Sequence, residues 1–229
     1  MKRYFFLFLI ISGIYPGLCI QAQNIGPEVS EFVSKILLAR NQSNELLHKH
    51  SWTSRIEVIK SNEILNIMIE KNQYDQQGQI KRTLLNEQGA KMPKAFLIRE
   101  IAESEKENLE KLLYGLRDFL KKYNLPDMTQ VKNFISAASW QVDAASKEFV
   151  FTGSNVEEDG DQLTWRVEDG NFSTTKIEVH TKFQGDEVVF TGTFIRMKNG
   201  LNYMAFAEAN IPSKKIILQL QNYDYIQEL

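Results

Sequence analysis

The chain has 229 residues, 43% of them hydrophobic and 24% charged, and carries a formal net charge of −2. That is the composition of a globular protein of one large domain or two small ones. It argues against a nucleic-acid partner, because neutralising phosphates needs an excess of Lys and Arg.

Residues 1–22 have the layout of a secretory signal peptide. Lys2 and Arg3 precede the apolar run Tyr4 to Ile14, then come Pro16, Gly17 and the small Ala22 before Gln23. The run is short for a membrane span, and no later stretch approaches one. Cleavage after Ala22 predicts an exported protein, periplasmic or extracellular, that begins at Gln23. Cys19, the single cysteine, supports a rival reading as a lipid-anchored lipoprotein. Against it, Leu18 stands where that signal wants a small residue. A chain of residues 23–229 without disulfides must rely on its core, and that length can bury one.

The first predicted element is a helix from Pro27, with Val29, Phe32, Val33, Ile36 and Leu37 at helical spacing. Asn41 to Asn44 is expected to end or fray it, with Leu46 and Leu47 in a last turn. Strand alternation then begins at Trp52, Ser54, Ile56 and Val58. A second strand covers Ile64 to Tyr74, a turn lies at Asp75–Gly78, and a third strand covers Ile80 to Leu85. Past an apolar stretch, Met92 to Ile98, the period changes. Leu109, Leu112, Leu113, Leu116, Phe119, Leu120 and Tyr123 form one helical stripe, begun by a Ser104/Glu107 capping box and stopped at Asn124-Leu125-Pro126. A shorter helix carries Met128, Val131, Phe134 and Ile135.

From Phe149 to Leu229 the chain reads as about six strands. Asp-Gly and Asn-Gly pairs punctuate it at Asp159-Gly160, Asp169-Gly170 and Asn199-Gly200, with the last predicted as a two-residue hairpin turn. Ile177, Val179, Thr181 and Phe183 share one face; Val188, Phe190 and Phe194 repeat the pattern, as do Ile216, Leu218 and Leu220. Period-2 alternation between hairpin turns predicts an antiparallel meander with one apolar face. The expected fold is α+β: a strongly curved antiparallel sheet of about nine strands, an incomplete β-barrel. Its concave face is covered by the N-terminal helix and by a helical insertion at about 92–138. Nothing divides residues 23–229, so a single domain is expected.

Chemistry-bearing patterns are sparse. There is no Gly-x-Ser-x-Gly elbow and no glycine-rich phosphate loop. His48-Lys49-His50 reads as a polar junction rather than half of a metal site. Asn155 to Asp161 fails the calcium-loop spacing, since Arg166 occupies the twelfth position, and reads as a solvated acidic turn. No pair among the 29 acids is singled out for acid/base work. No catalytic residue, metal or cofactor is therefore predicted.

The aromatic residues on strands, Trp52, Phe149, Phe151, Trp165, Phe190, Phe194 and Tyr203, are either sheet core or the lining of a concave pocket. With Ile56, Phe96 and Leu113 they make the candidate ligand-binding set.

Taken together, the leading helix, Trp52-Thr53-Ser54-Arg55-Ile56, Tyr74-Asp75-Gln76-Gln77-Gly78, the inserted helices and Gly200-Leu201-Asn202-Tyr203 resemble the periplasmic lipoprotein-carrier (LolA/LolB-like) half-barrels. The resemblance covers most of residues 24–229 as order and pattern. It implies an apolar cavity, lidded by helices, that receives acyl chains. The insertion is longer than a plain carrier needs, so a lipoprotein client does not follow. The expected function is a non-enzymatic envelope carrier or sensor of a lipid-like ligand. The alternatives are an interaction module with a filled core that binds another envelope protein, and an enzyme built on scattered acids.

Overall fold

The computed structural model describes residues 27–89, 108–109, 111–125 and 128–228. The expected signal segment with Cys19, the Met92–Ile98 stretch with Phe96, and the expected Ser104/Glu107 cap lie outside these residues.

Helix α1 spans Pro27–Leu47 without a break. Leu46 and Leu47 form its last turn, as expected, but Asn41 to Asn44 neither ends nor frays it, and a tertiary contact explains why. The buried Ser43 hydroxyl donates to the Asn202 carbonyl at 2.8 Å and accepts from the Asn202 N–H at 2.8 Å. The polar stretch is thereby held helical against a strand.

Three hairpin-linked strands follow: β1 (His50–Lys60), β2 (Glu63–Tyr74) and β3 (Ile80–Gly89). Helix α2, described over 108–109 and 111–120, closes in a 3-10 turn at Lys121–Asn124, after which Leu125 takes φ +46°. Helix α3 spans Met128–Ala137. Seven strands complete the chain: β4 (Ser139–Asp143), β5 (Glu148–Ser154), β6 (Gln162–Glu168), β7 (Thr174–Phe183), β8 (Asp186–Arg196), β9 (Asn202–Ile211) and β10 (Ile216–Gln227).

All ten strands form one antiparallel sheet in the order β3-β2-β1-β10-β9-β8-β7-β6-β5-β4. The strand beyond the expected nine is β4, five residues that follow α3 directly. β1 and β10 run antiparallel from His50 opposite Gln227 to Lys60 opposite Ile216, which joins the two meanders. β3 and β4 are the two edges, so the sheet is open. It is also strongly curved. Side chains from β3 through β6 border one cavity of about 260 Å³. Laid flat, those eight strands would span about 34 Å at ~4.8 Å spacing. Register shifts at Ser51/Thr53, Val58/Ile59, Ile69/Glu70, Arg166/Val167 and Thr193/Phe194 supply the added bend, since each bulge increases the local twist.

The helices pack on the concave face. The main core joins Ile36 and Leu37 of α1, Leu116, Leu120 and Tyr123 of the α2 region, and Val131, Phe134 and Ile135 of α3 to the inner residues of β5–β9. A smaller cluster sets Leu113 of α2 on Ile56, Val58 and Met68.

Two local expectations are corrected. Between β8 and β9 only Gly200 has positive φ, at +95°; Asn199 does not. The Gly200 N–H donates to the Met197 carbonyl, and the Met197 N–H to the Leu201 carbonyl, making a longer loop that needs one left-handed residue. The acidic turn is not fully solvated either. Asp161 is buried and accepts N–H groups from Val156, Glu157 and Glu158 at 2.6, 2.9 and 2.9 Å. Three orphan backbone donors need a carboxylate, and this one folds inward to meet them.

Candidate ligand cavity

One face of α1 roofs the cavity. Ile36, Ala39, Arg40, Ser43 and Leu47 recur at three- and four-residue steps and all line it. Arg117, Lys121 and Asn124 line the α2 side; the strands supply the floor.

Part of that floor is an aromatic ladder running across β2, β1, β10 and β9. The His48 ring stacks on Tyr74 with centroids 4.0 Å apart, and Tyr74 lies 5.8 Å from Trp52. Trp52 stacks on Tyr225 at 5.7 Å, and Tyr225 lies 4.0 Å from Tyr203. Burial raises the hydroxyl pKa values of Tyr74 and Tyr225, so both rings stay neutral donors. Trp165, Phe194, Met204 and Leu220 add apolar surface. The Trp165 indole N–H donates to Thr174 Oγ1 at 3.0 Å, which fixes the ring in place.

The rest of the floor is polar. Asn72 Nδ2 donates to Ser54 Oγ at 2.8 Å, the Ser54 hydroxyl donates to Asn222 Oδ1 at 2.5 Å, and Asn222 Nδ2 donates to the Met204 carbonyl at 2.8 Å. Glu70, also buried, accepts from Arg117 Nη1 at 3.2 Å. At the α1 side Arg40 donates through Nη2 to the carbonyls of Asn124 and Leu125 and lies over the Trp165 ring. Burial lowers the Arg40 pKa to about 10, which leaves it cationic at neutral pH. The cavity is thus amphipathic rather than purely apolar.

Of the candidate residues, Trp52, Trp165, Phe194 and Tyr203 are brought together around this cavity. Ile56 and Leu113 lie instead in the smaller core cluster. Phe151 and Phe190 are in the main core, with Phe149 packed against it beside Phe32 at 4.3 Å. Phe96 is outside the described residues.

The polar lining escaped the sequence reading, although it left a signal. Asn66, Met68, Glu70 and Asn72 are buried at every second position of β2, so the two polar residues nearest its end are in phase with the core. Ser54 shares the inner phase of Trp52, Ile56 and Val58. Reading β2 only by its apolar members hid Glu70 and Asn72.

Among the described residues, no three His, Cys, Asp or Glu side chains are grouped to hold a metal ion. His48 is in the aromatic ladder, and His50 Nδ1 is 2.6 Å from the Leu46 carbonyl. No described helix is long and apolar enough to cross a membrane.

No protein-family model and no curated protein matches the chain. Among solved structures it is similar to a DUF1329 family protein from Desulfovibrio piger, with 4% identity and a TM-score of 0.43, covering 88% of this chain and 93% of that one. It is also similar to a LolA superfamily protein from Nitrosomonas europaea, with 10% identity and a TM-score of 0.40, covering 86% of this chain and 94% of the other. Similarity at this level says nothing of what any of these chains binds. An open antiparallel half-barrel with a leading helix and an inserted helical roof is what the lipoprotein-carrier resemblance implied. That architecture is present in this chain.

Proposed function

We propose that the protein is a non-enzymatic carrier or sensor that takes an amphiphilic, acyl-bearing ligand between α1 and the concave sheet. The observation that supports this is the cavity of about 260 Å³ floored by Trp52, Trp165, Phe194, Tyr203, Met204 and Leu220. At roughly 30 Å³ per water-sized unit, that space holds a chain segment of about nine methylene-sized groups. Burying each methylene is worth about 0.8 kcal/mol, so a short acyl segment binds without any specific contact. The polar row of buried Ser54, Glu70 and Asn72 with half-buried Asn222 then favours a ligand with one polar end over a bare hydrocarbon. We place the protein in the cell envelope as a single domain of residues 23–229, released from the signal peptide 1–22.

Titration with the neutral fluorophore phenylnaphthylamine tests the reading. Saturable binding, displaced by decanoate, is the expected result. Ala39→Phe, which adds bulk to the roof of the cavity, should abolish it while leaving the unfolding transition in place. Failure of every amphiphile to bind the folded protein would overturn the carrier reading and leave an interaction module.

A further inference from the structure

The charges around the cavity do not balance. Arg40, Arg82, Arg117 and Lys121 line it, against a single carboxylate, Glu70. Lys121 is matched by Asp118 at 2.5 Å and Arg117 by Glu70 at 3.2 Å. Arg82 has no ion-pair partner among the described residues, and neither has Arg40, whose Nη2 alone is engaged, by two carbonyls. Arg40 has its own polar acceptors at the far end of the α2 wall. Arg82 is different.

Arg82 sits opposite Asn72 in the β2–β3 register, diagonal to Glu70, which is opposite Leu84. Diagonal neighbours on one sheet face are about 7–8 Å apart, within reach of a long side chain. Glu70 in turn holds Arg117 of α2, so Arg82 and Arg117 converge on one carboxylate from two walls of the cavity. Arg82 is exposed on the edge strand while also lining the cavity, which places it at the mouth. Burial and the neighbouring Arg117 both depress its pKa, with Glu70, Asp118 and Tyr114 opposing. Three cations, Arg82, Arg117 and Lys121, thus face two carboxylates, Glu70 and Asp118, which leaves room for a third negative charge. A planar guanidinium also has the paired donors that carboxylate and phosphate oxygens accept.

We infer that the cavity selects amphiphiles with an anionic headgroup, a carboxylate or a phosphate, received at its mouth by Arg82 beside Arg117. The inference rests on the carrier reading and adds the headgroup's chemistry to it. The chain enters between the aromatic ladder and α1; the anion stays at the β3 end.

Competition against phenylnaphthylamine with decanoate, decyl phosphate and decanol tests it, alongside calorimetric titration of inorganic phosphate alone. Decanoate and decyl phosphate should bind about tenfold more tightly than decanol, and their advantage should shrink with added salt. Arg82→Gln should remove that advantage and leave decanol unchanged, while Arg82→Lys should restore part of it. Equal affinities for decanol and the two anions, or a loss shared by all three in Arg82→Gln, would overturn the inference and leave the carrier reading intact. Binding of inorganic phosphate with no binding of any chained competitor would overturn the headgroup assignment and the carrier reading together, leaving a free-anion site. Weak phosphate binding alongside tight decyl phosphate binding supports a lipid headgroup.

Discussion

The Tyr123 hydroxyl donates to Asp161 Oδ2 at 2.8 Å and lies 2.8 Å from Thr181 Oγ1, tying the end of α2 to the β5–β6 loop and to β7. The carboxylate thus serves two purposes, closing a turn and fastening the helical roof to the sheet. Burial pushes its pKa up. The N–H groups of Glu157, Val156 and Glu158, with the Tyr123 hydroxyl, outweigh that and hold it below the ordinary value. A carboxyl depressed on folding adds stability that is complete above its unfolded pKa, about 3.9, and is lost as pH falls through the folded value. Asp161→Asn should therefore cost about 1–3 kcal/mol at neutral pH. That gap should narrow below about pH 4. Urea unfolding at several pH values measures it, and a gap unchanged into strong acid would contradict the assignment.

Gly153 on β5 is where a side chain has no room. A Cβ there would meet the Phe134 ring of α3 at 2.6 Å, and that ring is buried. Gly153→Ala should cost about 1–3 kcal/mol through overpacking. Phe134→Leu in the same chain should recover part of it. Thermal unfolding of the single and double variants checks both.

A third expectation separates core from lining. Leu113 is buried with Ile56, Val58 and Met68 and does not line the cavity, so Leu113→Ala should cost about 2–5 kcal/mol. Its affinity for phenylnaphthylamine should stay close to that of the parent. Phe194→Ala, at a partly buried cavity position, should do the reverse and weaken the probe about tenfold. Parallel losses in both variants, in both measurements, would mean that the cavity and the core are one structure.

Gly200 has φ +95°, a conformation that a β-branched residue adopts only under strain. Gly200→Val should lower stability by about 1–2 kcal/mol. Asn199→Val, outside the left-handed region, should cost less, and the comparison by denaturant midpoint tests the observed loop against a two-residue turn.

Most of the elements and the kind of sheet are legible in local pattern. Alternation at Ile177, Val179 and Thr181 needs only a period of two to be read, and the structure buries all three. The Leu113–Leu116–Leu120–Tyr123 stripe likewise needs only the helical repeat, and those four residues are buried too. Both are local rules, fixed by backbone geometry over a few residues. Tertiary structure decided the rest. That β1 pairs with β10 follows from bringing together residues more than 150 positions apart, and no local pattern encodes it. The same pairing sets Ser54 against Asn222, and the docking of α2 on the sheet sets Glu70 against Arg117. Polar residues in an inward phase look like breaks in an apolar pattern until their partners arrive from other strands. Asp161 shows the same limit: its buried carboxylate accepts a hydrogen bond from Tyr123, 38 residues earlier. Which aromatic residues line the cavity and which fill the core was decided the same way, by where α1 and α2 come to rest on the curved face.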